Sequence, residues 1–203
     1  MNSISDDSEN SVSGNSVSGN GRLDGDTVVR QLTAGDWAQL RAARLAALAE
    51  APYAFASTLA REQEFTDEVW RSRAGSGSSF GAWQGETIVG LATGLPPEAA
   101  QPAPAAQPAA GAQPAQTEPA WHLVGMWVAP ACRGQGVADR LVAAVCEHAR
   151  RSGAASVTLW VTEVNDRARA FYRRTGFAPT GGRQLVRPEE PDHFEEELAR
   201  RLR

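Results

Sequence analysis

The chain has 203 residues, 42% of them hydrophobic, and a formal net charge of −4, which is room for one domain or two small ones. It contains no run of 18 apolar residues, so the sequence predicts no membrane span. All 20 of its cationic residues are arginine. Without lysine, a Schiff-base mechanism and a Walker A phosphate loop are both excluded.

Residues 1–26 carry Asp6, Asp7, Glu9, Asp24 and Asp26 against Arg22 and repeat Ser-Val-Ser-Gly-Asn at Ser11 and Ser16. A tail so poor in large apolar side chains cannot offset its ordering entropy, and disorder is expected. Its acidic excess equals that of the whole chain, so the remainder is balanced. A neutral remainder lacks the cationic excess that nonspecific nucleic-acid binding needs. Residues 96–120 hold 7 of the 12 prolines and repeat Ala-Gln-Pro-Ala. The repeat is too short for a solenoid unit, so the segment reads as a low-complexity insertion. Residues 27–203 are then expected to form a single domain interrupted by that insertion. The N-terminus lacks a signal-peptide pattern, which points to a cytoplasmic protein. Cys132 and Cys146 form neither a Cys-x-x-Cys pair nor a disulfide framework, and no metal site is expected.

In chain order, Thr27–Leu32 reads as a short strand. Thr33 and Asp36 make a box-like helix start, and Trp37, Leu40, Arg44, Leu45 and Leu48 recur at helical spacing up to Pro52. Thr66-Asp67-Glu68 opens a short helix through Val69 and Trp70. Ser79–Trp83 and Thr87–Leu95 flank Gln84-Gly85-Glu86 as a β-hairpin. Beyond the insertion, Trp121–Val128 is a strand closed by Pro130. The helix that follows sets Ala138, Leu141, Val142, Val145 and Ala149 on one face and Asp139, Arg140, Glu147, Arg150 and Arg151 on the other, ending at Gly153. Ser156–Thr162 is the next strand, and Asn165 caps a helix running to Thr175. Phe177–Pro179 and Phe194–Leu198 are weaker strands. The alternation makes an α/β domain with a mixed sheet.

Between strand and amphipathic helix lies Arg133-Gly134-Gln135-Gly136-Val137-Ala138. Glycines at a helix N-terminus let backbone N–H groups converge without Cβ obstruction, and the helix dipole adds positive charge there. The turn therefore suits a phosphate or pyrophosphate, with Arg133 as an added contact, although a purely structural turn explains the glycines equally well. The dinucleotide fingerprint does not fit, because a third spaced glycine is missing.

Arg133–Ala138 matches the Arg/Gln-x-x-Gly-x-Gly/Ala signature, and the chain resembles the GNAT superfamily of acetyl-CoA-dependent N-acetyltransferases. Leu123–Pro130 resembles that family's fourth strand. Asn165, Ala168, Phe171-Tyr172 and Gly176-Phe177 resemble its Asn-x-x-Ala-x-x-Phe-Tyr…Gly-Phe motif. The resemblance covers about residues 27–95 and 121–203. It implies an α/β (α+β) three-layer fold, with a central mixed, mostly antiparallel sheet of about seven strands and about four flanking helices.

It also implies a site. Backbone amides of Arg133, Gly134, Gln135, Gly136, Val137 and Ala138 would hold the pyrophosphate of acetyl-CoA, the cosubstrate. Backbone of Met126, Trp127 and Val128 would pair with the pantetheine arm in the gap where the fourth and fifth strands splay, Asn165 would contact that arm, and Tyr172 would protonate the departing thiolate. Read from the residues alone, Ala168, Phe171, Tyr172 and Thr175 form one stripe, with Asn165 two turns before Tyr172 on the same side; core aromatics would look the same. A phenol with a pKa of about 10 lies close enough to a thiol to exchange a proton. His122 and Glu163 are the candidate bases for the amine, and either also reads as a solvated surface residue. Tyr53, Phe55, Trp70 and Trp127 are candidates for an aromatic acceptor pocket. Cys132 reads as a bystander, and Cys146 and His148 as packing residues.

The expected function is transfer of acetyl from acetyl-CoA to a primary amine of a small molecule by a monomer or homodimer, with neither membrane nor nucleic acid as partner. The alternatives are an acetyltransferase of peptide or protein N-termini and a noncatalytic acyl-CoA-binding sensor.

Overall fold

The computed structural model describes residues 27–99, 119–187 and 190–203. The tail 1–26 and residues 100–118 of the insertion lie outside the described residues. The elements in chain order are β1 (Val28–Gln31), α1 (Trp37–Glu50), α2 (Leu59–Gln63), α3 (Asp67–Ala74), β2 (Ser79–Gln84), β3 (Thr87–Leu95), β4 (Ala120–Val128), α4 (Val137–Arg151), β5 (Ser156–Thr162), α5 (Asp166–Arg174), β6 (Ala178–Leu185) and β7 (Phe194–Arg201). The strands form one sheet in the order β1-β2-β3-β4-β5-β7-β6. Only the central β4–β5 pair is parallel. This is the mixed, mostly antiparallel sheet of seven strands that was expected. Among the described residues there are five helices where about four were expected; the additional α2 has five residues, too short to carry an apolar period.

The helix starts follow from side-chain acceptors for otherwise unpaired N–H groups. Asp36 accepts from the Thr33 backbone N–H at 2.8 Å and from Thr33 Oγ1 at 2.9 Å, on a short 3₁₀ turn that leads into α1. Thr66 Oγ1 caps α3 through Val69 N–H. The apolar stripe of α4 is buried with Trp121, Leu123, Val157, Leu159 and Leu198 on one face of the sheet. On the other face, Leu40, Ala47 and Leu48 of α1 and Trp70 of α3 pack against Ile88, Leu91 and Trp127. Two cores, one per face, make the three layers. Among the described residues, no helix is long and apolar enough to cross a membrane.

Two irregularities in the sheet position the site. Gly125 has φ +65°, and between the Thr93–Val124 and Leu91–Trp127 pairs one residue of β3 (Ala92) faces two of β4 (Gly125 and Met126). This β-bulge reverses the alternation of side chains. Trp121 and Leu123 face α4 before it, whereas Trp127 faces α1 after it. The second irregularity is that β4 and β5 pair only from Ala120–His122 to Ser156–Thr158. Beyond that point β4 stays with β3 up to Val128, and β5 stays with β7 up to Thr162. The facing edges of the two strands are left without a strand partner, and a wedge opens in the middle of the sheet.

Candidate active site

On the α4 face, a cavity of about 550 Å³ lies against the wedge, between the end of β4, the glycine turn and α5. Gly134 (φ +79°) and Gly136 (φ +73°) hold backbone conformations that L side chains avoid. A Cβ at either position would meet nothing within 4 Å, so the requirement is conformational, and the space in front of the turn is open. Among the described residues, the N–H groups of Gly134, Gln135 and Gly136 have no backbone acceptor. The first N–H groups of α4 have none within the helix. Together with the dipole they form an anion cradle. Gln135 turns its side chain away, donating from Nε2 to Ala131 O at 2.9 Å.

Arg133 departs from its expected role. Its N–H donates to Pro130 O at 3.3 Å. Its guanidinium donates to Val128 O at 2.9 Å and to Glu50 Oε2 at 2.6 Å. Glu50 also accepts from Trp127 Nε1 at 3.2 Å, and its carboxyl is held below the usual range chiefly by Arg133. Arg133 therefore ties the end of β4 to the end of α1 instead of offering a free fork to a phosphate. Arg167 and Arg174 also line the cavity, with Arg174 paired to Asp139 at 2.8 Å. Sequence reading missed both, because in a chain whose cations are all arginine nothing marks them out.

Asn165 and Tyr172 line the same cavity. Asn165 Oδ1 accepts from Ala168 N–H at 3.0 Å and so caps α5, which leaves its amide N–H groups for other partners. The Tyr172 ring is buried edge-on against Phe171 and Phe177, at centroid distances of 5.2 and 5.7 Å. Burial pushes its phenol well above the usual tyrosine value. The expected near-match of phenol and thiol is thus replaced by a phenol that stays protonated throughout the working range of pH.

On the opposite face a second cavity, of about 510 Å³, lies between α1–α3 and the sheet. His122 lines it, with Nδ1 hydrogen-bonded to Thr158 Oγ1 at 2.9 Å. Burial lowers its pKa from the ordinary histidine value. Glu195, which sequence reading passed over, lines it too. Its carboxyl is raised by burial and accepts from Gln184 Nε2 at 2.7 Å. Glu163 lines neither cavity. It is half-buried and held by Arg183 at 2.7 Å, because the β5–α5 turn carries it to the rim of β6. Among the aromatic candidates, Trp70 lines the second cavity, Tyr53 and Trp127 the first, and Phe55 both. Cys132 is buried beside the turn, Cys146 is buried in the α4 core, and His148 packs edge-on against Phe80 and Trp121.

A charged cluster braces the helical wall of the second cavity. Glu62 is 1% exposed and accepts from Arg44 Nε (3.1 Å) and Nη2 (2.9 Å) and from Arg73 Nη1 (3.1 Å). Glu62→Leu would leave Arg44 buried without a counter-charge, a loss of about 3 kcal/mol or more. The expected result is a Tm lower by roughly 6–12 °C, measured by calorimetry; an unchanged Tm would show the cluster to be dispensable.

The sequence model of the acetyltransferase (GNAT) family matches residues 42–177. Among solved structures, an acetyltransferase of the GNAT family from Streptococcus pneumoniae superimposes with TM-score 0.65 at 15% identity, covering 88% of this chain and 100% of that one. A GCN5-related N-acetyltransferase from Kribbella flavida gives 0.61 at 24% identity, covering 87% and 98%. The NatC complex bound to Gag peptide and CoA gives 0.57 at 14% identity, covering 87% and 99%. At these identities the likeness shows the fold alone. The sequence has no match among the curated proteins. The family match spans more than half of the chain and takes in the bulged β4, the wedge, the glycine turn and α5, and on that ground the chain belongs to the GNAT family of acetyltransferases, acyltransferases that use acetyl-CoA.

Proposed function

We propose that the protein acetylates the primary amine of a small molecule. The observation that carries this reading is the pair of cavities, one on each face of the sheet, both bounded by Ala54 and Phe55; the second is lined by residues 122–125, where β4 and β5 part, and the first by residues 126–128, farther along the same unpaired stretch of β4. A thioester entering from one face and an amine from the other would meet in the wedge. A volume of about 510 Å³ is of the size that takes a small acceptor.

Acetyl-CoA supplies an acetyl group already activated as a thioester. The residues present fit it. The free N–H groups of Gly134, Gln135, Gly136, Val137 and Ala138 suit its pyrophosphate, and Arg133 supports them by bracing β4. The edge of Met126, Trp127 and Val128 that lacks a strand partner suits an added strand, with the Val128 carbonyl already taken by Arg133, and Asn165 still has its amide donors. In the transfer a C–N bond forms as the C–S bond breaks; the nitrogen gives up a proton and the sulfur gains one. Tyr172 keeps its phenolic proton and is the donor to sulfur. His122 takes the proton from nitrogen, directly or through water, because its depressed pKa keeps the imidazole neutral at pH 7.

The sign of that shift sets the pH dependence. Below the ordinary histidine value of about 6.5 the imidazole of His122 charges and the base is lost. kcat is therefore expected to fall with pH through a midpoint under that value, and His122→Gln should flatten the limb. A limb that persists in His122→Gln would pass the role to Glu195. Thiol release from acetyl-CoA with an amine panel, followed by mass spectrometry of the products, tests the reaction itself. Acetylated peptide N-termini with no small-molecule product would favour the peptide acceptor. CoA binding with no turnover on any amine would favour the sensor.

A further inference from the structure

The geometry points to an acceptor that carries a carboxylate beside its amine: a free amino acid with an apolar side chain. This rests on the acetyltransferase reading above. The second cavity is polarised. Its helical wall carries Arg44 from α1, Glu62 from α2 and Arg73 from α3, whereas its sheet wall carries His122 from β4 and Glu195 from β7. Two guanidinium groups share the single carboxylate of Glu62, so one positive charge on the helical wall is left over.

That charge has a donor to spare. Arg44 gives Nε and Nη2 to Glu62, but its buried Nη1 hydrogen-bonds nothing among the described residues. The group lies against the β4 bulge, 3.8 Å from the position a Cβ on Gly125 would take. A desolvated guanidinium N–H without an acceptor is unfavourable, and the Arg fork is suited to a planar carboxylate. Arg73, with 43% of its side chain exposed, lines the same wall of the cavity. The sheet wall answers with the opposite character: the neutral imidazole of His122 and the half-buried carboxyl of Glu195 next to the wedge, where an ammonium group would be held and deprotonated. Phe55, Trp70, Leu91 and Trp160 supply the apolar surface between the two walls. An acceptor with its amine at the sheet wall and its carboxylate at the helical wall satisfies both. A peptide N-terminus presents a neutral amide where the free amino acid has its carboxylate, and leaves the arginine charge unanswered.

The test compares three molecules with one side chain: L-phenylalanine, L-phenylalaninamide and 2-phenylethylamine, each assayed with acetyl-CoA on the full chain. The free acid is expected to have a kcat/KM roughly 10- to 100-fold above the other two, the range of a charge-assisted hydrogen bond. Equal values, or a preference for the amide or the amine, overturn the inference. Arg44→Lys keeps a charge opposite Glu62 but removes the fork, and should bring the acid-to-amine ratio to within about threefold. A bracing role alone would lower all three substrates together and leave the ratio intact, which also overturns it. If Arg44→Lys does not fold, Arg73→Gln reads the same ratio from a more exposed position. Tryptophan fluorescence, with Trp70 and Trp160 in the cavity wall, separates the two readings. An amino acid that binds without being acetylated supports the acceptor class and removes the transferase reading. Amines acetylated without preference for the acid remove the acceptor class alone. Amino acids that neither bind nor react overturn it as well.

Discussion

Gly136→Asp is expected to abolish CoA binding. Two effects act in the same direction. The backbone at Gly136 holds φ +73°, and an L residue there costs about 1–2 kcal/mol. The new carboxylate would sit in front of N–H groups that have no other acceptor, cancelling the field that attracts a pyrophosphate. Gly136→Ala isolates the first effect and should weaken CoA by roughly 5- to 30-fold, while the aspartate variant should lose at least about 100-fold more. The fold itself should survive in both, because a Cβ at Gly136 meets nothing within 4 Å, and Tm should drop by only about 2–8 °C. Titration calorimetry with CoA reads the outcome. Wild-type affinity in the aspartate variant would remove the cradle from the site; equal losses in the two variants would remove the electrostatic part of the argument.

Most of the fold was legible because its signals are local. The α4 stripe, the caps at Thr33, Thr66 and Asn165, and the hairpin around Gly85 are all written within a few residues, and each element stands where that chemistry puts it. The outer strands were less legible. Phe194–Leu198 extends to Arg201, and Phe177–Pro179 is replaced by Ala178–Leu185. The Pro- and Gly-containing β6 and the Arg- and Glu-rich β7 have weak strand propensity; they are held as strands by pairing with each other and, for β7, with β5.

The site divides in the same way. The glycine turn and the Asn165–Tyr172 stripe can be read from spacing, but the acceptor side cannot. Glu62 sits in a short helix with no apolar period and looks like any solvated glutamate, yet it is almost wholly buried because two arginines from other helices converge on it. Glu195 and His122 lie 73 positions apart in the sequence and line one cavity only through β5, which pairs with the strands of both. Glu163, the nearer guess in sequence, is turned outward by one tight loop. The wedge depends on where β4 and β5 stop pairing, and no local pattern encodes that.

Tyr172→Phe is expected to lower kcat by about 100-fold or more while leaving acetyl-CoA affinity nearly unchanged. General acids contribute roughly 10²–10⁴-fold, and the buried phenol holds its proton because charge on its oxygen is disfavoured there. That same shift makes the proton harder to give until negative charge develops on sulfur beside it, so the contribution should be confined to the transition state and appear in kcat, not in KM. The substitution is also clean structurally. Among the described residues nothing hydrogen-bonds the Tyr172 hydroxyl, and a phenylalanine ring would keep the edge-on packing against Phe171 and Phe177. Stability should therefore change by about 1 kcal/mol or less. The raised pKa carries a further consequence: ionisation of Tyr172 cannot produce an alkaline fall in rate within the ordinary assay range, so any such fall in the wild type must persist in Tyr172→Phe. A normal kcat in this variant, with Tm unchanged, would mean that the departing sulfur takes its proton from solvent and that Tyr172 only lines the cavity.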